Sequence, residues 1–117
     1  MMRALPYVSV IIPTYNRAKM LPITLDSFLN QDYPRDRYEI IVANNNSRCG
    51  LEEVRRVCGD LALVVPAPAQ GAAAARNAAI DASRGPYLAF TDFTEGTESL
   101  HLIGGYLKQV PRSWSDL

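Results

Sequence analysis

The sequence predicts an α/β fold built on an open, doubly wound, mostly parallel sheet. Three observations predict it. Short, largely apolar and β-branched runs recur at residues 8–12, 38–43, 61–65 and 87–90, and runs of this length suit strands buried on both faces. Helical patterns separate them, an alternation that calls for parallel strands joined by right-handed crossovers with helices on both sides. Polar or proline-bearing turns follow the runs, and in such sheets ligands lie outside the carboxyl ends of the strands. The 117 residues are 48% apolar and 21% charged, the balance of one globular domain. A single domain over residues 1–117 is therefore expected, with 110–117 as a loosely ordered tail.

The first run reaches Pro13, whose missing N–H is expected to end its ladder. Thr14, Tyr15 and Asn16 form a turn with Asn16 as a candidate helix cap, and Leu21, Leu25, Phe28 and Leu29 then repeat at helical spacing. Pro22 is compatible only with a first turn, which starts this helix near residues 19–21 and ends it before Tyr33 and Pro34. The second run stops at Asn44, Asn45, Asn46 and Ser47, side chains that favour turns over element interiors. Residues 51–57 read as a short helix, 61–65 as the third strand, and 66–71 as a stiff connection. Residues 72–83 are alanine-rich helix material, closed by Gly85 and Pro86 in the order a helix stop requires. The fourth strand follows at 87–90, and residues 98–109 space Leu102, Ile103, Tyr106 and Leu107 helically.

Composition excludes several classes. Twelve basic and twelve acidic side chains give zero formal charge, so no field exists to gather a nucleic-acid backbone or an anionic bilayer. Cys49 and Cys58 form no CxxC pair and His101 has no partner at ligand spacing, which fits neither a zinc site nor a disulfide scaffold and leaves two reduced thiols. No apolar stretch approaches about 18 residues and no signal-peptide core precedes residue 8, so no membrane span and a cytoplasmic location are expected. GxxxxGK[ST] and a GxGxxG after the first strand are both missing, against ATPase and dinucleotide readings.

Three polar loops, 13–17, 44–47 and 91–95, are expected to converge on one sheet edge. The first lies just ahead of a helix, where free N–H groups could attract an anion and Tyr15 offers a flat face to a base; it could equally serve only to turn the chain. Asn44, Asn45 and Asn46 each donate and accept, which suits the edge of a pyrimidine, although asparagine runs are also ordinary left-handed turns. Arg76 and Asn77 sit early in the alanine-rich helix, where a guanidinium could grip a phosphate with a bidentate fork. The small residues at 71–75 permit close approach to a ligand or another backbone. Asp92 directly follows the fourth strand and could accept ribose hydroxyl bonds or help hold a divalent ion, with Thr91, Thr94 and Glu95 beside it.

Together, VSVIIPTYNR (8–17), YEIIVANNNS (38–47), GAAAARNAAI (71–80) and GPYLAFTD (85–92) resemble, in order and spacing, the opening of family 2 glycosyltransferases. The resemblance spans nearly the whole chain. It implies a GT-A fold whose first, Rossmann-like half binds a nucleotide-sugar, commonly a UDP-sugar, with Mg or Mn on the diphosphate. It sets Pro13, Thr14, Tyr15 and Asn16 against the nucleotide and the family's acidic uracil-reading position on Asn44, where an amide keeps hydrogen bonding and loses charge. Arg17, Asn45, Ser47, Arg76, Asn77, Thr91 and Asp92 complete the expected nucleotide-binding set. The DxD element falls on Asp92, Phe93 and Thr94, so the metal-ligand aspartate is a threonine here and Asp92, with Glu95 as the weaker candidate, is left to hold a cation.

Catalytic domains of this family continue into an acceptor-binding half that supplies a general base, and after Glu98 only Asp116 could do so. The chain is therefore expected to bind UDP or a UDP-sugar as the nucleotide-binding half alone, with no catalytic residue assigned. The alternatives are an inverting transferase completed by self-association as a homodimer through an exposed sheet edge, or a remnant serving as a protein-interaction module.

Overall fold

The computed structural model describes residues 6–30 and 33–90. Four strands, β1 (Val8–Thr14), β2 (Tyr38–Asn44), β3 (Leu63–Pro66) and β4 (Tyr87–Phe90), alternate with helices α1 (Leu21–Leu29), α2 (Leu51–Cys58) and α3 (Ala72–Ala82). Two single 3₁₀ turns, Ala18–Met20 and Arg35–Arg37, lead into α1 and β2. The sheet is parallel throughout, in the order β3-β2-β1-β4. This is the doubly wound α/β arrangement the alternation predicts. Its register sets Thr14 opposite Asn44 and Asn44 opposite Pro66, so three strands end on one line.

Alternation of side chains along β1 explains why helices are needed on both faces. Val8, Val10 and Ile12 pack with Leu21, Leu25 and Phe28 of α1 and with Val54 and Cys58 of α2. Ile11, Ile41 and Ala43 pack on the opposite face against Ala75 and Ala79 of α3. The alanines let α3 lie close to the sheet, where larger side chains would hold it away.

Pro13 does not end β1, which continues to Thr14. The Thr14 carbonyl accepts from the Asn45 N–H at 2.8 Å. Neighbouring residues of a strand direct their backbone groups to opposite sides, so the donor-less Pro13 nitrogen faces away from β2, beyond the Ile11–Phe90 pair that is the last described on the β4 side. Pro22 sits in the first turn of α1, where its missing N–H costs nothing. β3 begins at Leu63, later than the expected residue 61, because the Leu61 N–H is spent on the Cys58 carbonyl in the turn that closes α2.

At the amino-terminal edge, Glu39 gathers the chain. Its carboxylate accepts from Ser9 Oγ at 2.6 Å, from the Arg84 N–H at 2.7 Å and from Arg84 Nε at 3.2 Å. Ser9 Oγ in turn accepts from the Gly85 N–H at 2.8 Å. A Cβ on Gly85 would lie 2.8 Å from Ser9 N, so only glycine lets the chain enter β4 here. The predicted helix at 98–109, the tail at 110–117 and His101 lie outside the described residues.

Candidate functional site

At the carboxyl edge of the sheet lies a cleft of about 430 Å³, lined by Pro13, Thr14, Tyr15 and Arg17 from the β1–α1 connection, Asn45 from the end of β2, and Gln70, Gly71, Ala72, Ala75 and Arg76 from the start of α3. Its size is that of a small-molecule site. Among the described residues, no carboxylate lines it.

Asn45 holds these parts together. Its Nδ2 donates to the Ala67 and Ala69 carbonyls at 2.8 and 2.7 Å, and its Oδ1 accepts from the Gly71 N–H at 3.0 Å. Three partners thus orient one buried amide, and the oxygen keeps a lone pair for a further donor. Asn46, at φ 62°, adds bonds from Nδ2 to the Pro68 carbonyl and Gln70 Oε1, each 3.0 Å long.

The β1–α1 and β2–α2 connections are joined just as firmly. Asn16 takes a left-handed φ of 55°; its N–H donates to Ser47 Oγ at 2.9 Å and its Oδ1 accepts from the Arg48 N–H at 2.8 Å. It does not cap the following turn, whose N-cap residue is Arg17 without a side-chain bond. A left-handed asparagine bonding a neighbouring loop is the turn chemistry this residue type favours.

Of the residues expected to contact a nucleotide, Pro13, Thr14, Tyr15, Arg17, Asn45 and Arg76 come together in the cleft. Asn44, Ser47, Asn16 and Asn77 do not line it. Asn44 is buried at the end of β2 with its Oδ1 accepting from the Ser47 N–H at 3.3 Å, and Asn77 lies exposed on α3. The amide presented to the cleft is therefore Asn45, one position beyond the residue that the resemblance put at the base. Thr91, Asp92 and Glu95 lie outside the described residues, and among those described no three His, Cys, Asp or Glu form a metal-holding group.

Of the small residues at 71–75, which the sequence marks as permitting close approach to a ligand, Gly71, Ala72 and Ala75 line the cleft; Gln70, which carries no such signal in the sequence, lines it too. Gly71, at φ 113°, is the N-cap of α3, and the first intrahelical bond runs from the Ala75 N–H to the Gly71 carbonyl. The N–H groups of the first turn are therefore free at the cleft wall, with the positive end of the helix dipole behind them. Arg17 and Arg76 make no ion pair or side-chain hydrogen bond among the described residues. Tyr15 is 48% exposed, and the buried Thr14 Oγ1 has no hydrogen-bond partner.

An open parallel sheet with a cleft at its carboxyl edge, a helix N-terminus in its wall and, among the described residues, unpaired arginines beside it defines an α/β protein with a cleft that can accept negative charge. The glycosyl transferase family 2 model matches residues 9–92, and the chain belongs to that family. It is 40% identical over 96 residues to glycosyltransferase AglE of Haloferax volcanii, covering 79% of this chain and 32% of AglE. Among solved structures it is similar to the mannosyltransferase PcManGT from Pyrobaculum calidifontis, described in complex with GDP-Man and Mn2+, at 39% identity and a TM-score of 0.66 over 76% of this chain and 28% of that one. S. aureus TarS in complex with UDP is similar at 28% identity and a TM-score of 0.58, over 74% of this chain and 27% of that one. The fold is thus that of GT-A glycosyltransferases. The chain spans about a third of the length of AglE and about a quarter of the matched structures.

Proposed function

We propose that the cleft binds a nucleoside diphosphate or nucleotide-sugar, with UDP or a UDP-sugar the favoured ligand, and that the chain serves as the nucleotide-binding half of a transferase. The observation that carries this is the meeting, in one cleft, of the free N-terminus of α3, two unpaired arginines and an exposed tyrosine ring. Each has a separate job. Arg76 and the first N–H groups of α3 take the phosphates, since both favour negative charge. Arg17 adds a second cation from the β1–α1 connection. The Tyr15 ring stacks on the base, and the open lone pair of Asn45 Oδ1 receives a ring N–H such as that of uracil. AglE, PcManGT and TarS support the glycosyl-transfer setting, and the TarS complex supports UDP.

Asp92 is assigned to the ribose and to a divalent cation, Mg or Mn, with Glu95 as its neighbour. When bound, such an ion would neutralise diphosphate charge. No described cleft residue is a carboxylate, so the described part supplies binding and orientation rather than a general base.

Isothermal titration of the full chain with UDP, GDP and AMP, with and without manganese, tests the assignment. UDP should bind most tightly, manganese should strengthen it, and Tyr15→Ala and Asp92→Ala should each weaken it by about tenfold, or about 1.4 kcal/mol. Equal curves for the three nucleotides, or for the variants and the parent, would remove the assignment.

A further inference from the structure

A second cleft, of about 680 Å³, adjoins the first through their shared residues Tyr15 and Arg17; Lys19, Arg48 and Cys49 also line it, and no carboxylate among the described residues does. It is built on the clamped loops. Because Asn16 bonds both Ser47 Oγ and the Arg48 N–H, Arg17 and Arg48 are carried on one fixed frame from two different connections.

Apart from Arg76 in the first cleft, the other described cations are already engaged. Arg55 pairs with Glu52, Arg56 with Glu53 and Arg84 with Glu39. Arg35 donates to the Tyr38 and Leu61 carbonyls, and Arg37 lies beside Tyr33. Arg17, Lys19 and Arg48 have no ion pair or side-chain hydrogen bond among the described residues. Three cations unpaired among the described residues thus gather in one concavity, an arrangement that focuses positive potential.

We propose that this second cleft binds the phosphate group of an anionic ligand other than the nucleotide. Arg17 and Arg48 offer planar forks to phosphate oxygens, and Lys19 adds a compact charge. The inference does not depend on which nucleotide, if any, occupies the first cleft.

Cys49 lets the cleft report on itself. It is exposed in the cleft wall, whereas Cys58, the only other cysteine of the sequence, is 1% exposed, with burial pushing its thiol up to about 11. A neutral alkylating reagent therefore reads Cys49 in the folded chain. With inorganic pyrophosphate as the probe at low salt, alkylation of Cys49 by iodoacetamide should slow several-fold. Sodium chloride at matched ionic strength should give no such protection. The double variant Lys19→Glu, Arg48→Glu should lose it while its UDP titration stays that of the parent, since neither residue lines the first cleft. The Asn16–Arg48 bond uses the Arg48 backbone and survives the substitution. Absence of protection, equal protection by chloride, or equal protection in the double variant would overturn the proposal. So would protection by phosphatidylglycerol vesicles but not by pyrophosphate, which would point to a membrane surface. Protection in a chain that fails to bind UDP would sustain this site and sink only the nucleotide assignment.

Discussion

Asn45 shows how one side chain can set both loop geometry and ligand chemistry. Its two donors face two carbonyls and its acceptor faces an N–H, a set of partners that an amide matches and a carboxylate cannot. Asn45→Asp would set one carboxylate oxygen 2.8 Å from the Ala67 carbonyl and 2.7 Å from that of Ala69. We predict a loss of about 1–3 kcal/mol at neutral pH, the range for buried groups left unpaired. The introduced acid would have a raised pKa in the folded state, because its charged form is disfavoured there. Between the unfolded and folded values the native state holds more protons, so stability falls as pH rises through that window and returns as pH is lowered. Thermal unfolding of the variant and parent at pH 7 and pH 4.5 checks this, and a difference that does not shrink at the lower pH contradicts it. From sequence alone, an asparagine run signals a turn and hydrogen-bonding capacity. Which of three adjacent amides meets the cleft depends on where the strand ends relative to its neighbours, and that is a tertiary fact.

Elements were legible where periodicity and length agreed. α1, α2 and α3 begin within a residue or two of where apolar spacing, the proline rule and the alanine run put them. Strand ends were less so. Pro13 reads as a stop, yet a parallel strand tolerates it wherever its nitrogen faces away from a partner. The entry to β4 gives an element-scale prediction. A methyl at Gly85 would stand 2.8 Å from Ser9 N and Oγ and 2.9 Å from the Tyr7 carbonyl, so β1 and the α3–β4 turn must separate to admit it. Gly85→Ala should cost about 1–3 kcal/mol, as overpacking does. Because this edge is opposite the cleft, UDP affinity should not change. Urea denaturation and nucleotide titration of the same variant check the two halves, and weakened binding at unchanged stability would refute the separation of the two edges.

On the scale of the whole molecule, the parallel sheet explains why the candidate site lies where it does. Thr14, Asn44 and Pro66 end in register, and each strand passes its chain into a connection at the same edge. Two of the three loops expected there lie at that edge in the described residues, and the end of the β3–α3 connection with the start of α3, whose small residues the sequence marks for close approach, supplies the remaining wall. Family membership was legible because four blocks in order constrain far more than any one block. Which cations stand unpaired at the two clefts among the described residues was not, since a net charge of zero hides which cations are paired.

The most direct test of the central claim is a UDP titration of the ¹⁵N-labelled full chain followed by amide chemical shifts. Our account predicts that the shifts concentrate at residues 13–17, at Asn45 and at residues 70–76, the parts that meet at the carboxyl edge. Shifts that instead cluster at the amino-terminal edge around Ser9, Glu39 and Arg84, or none at saturating nucleotide, would contradict it.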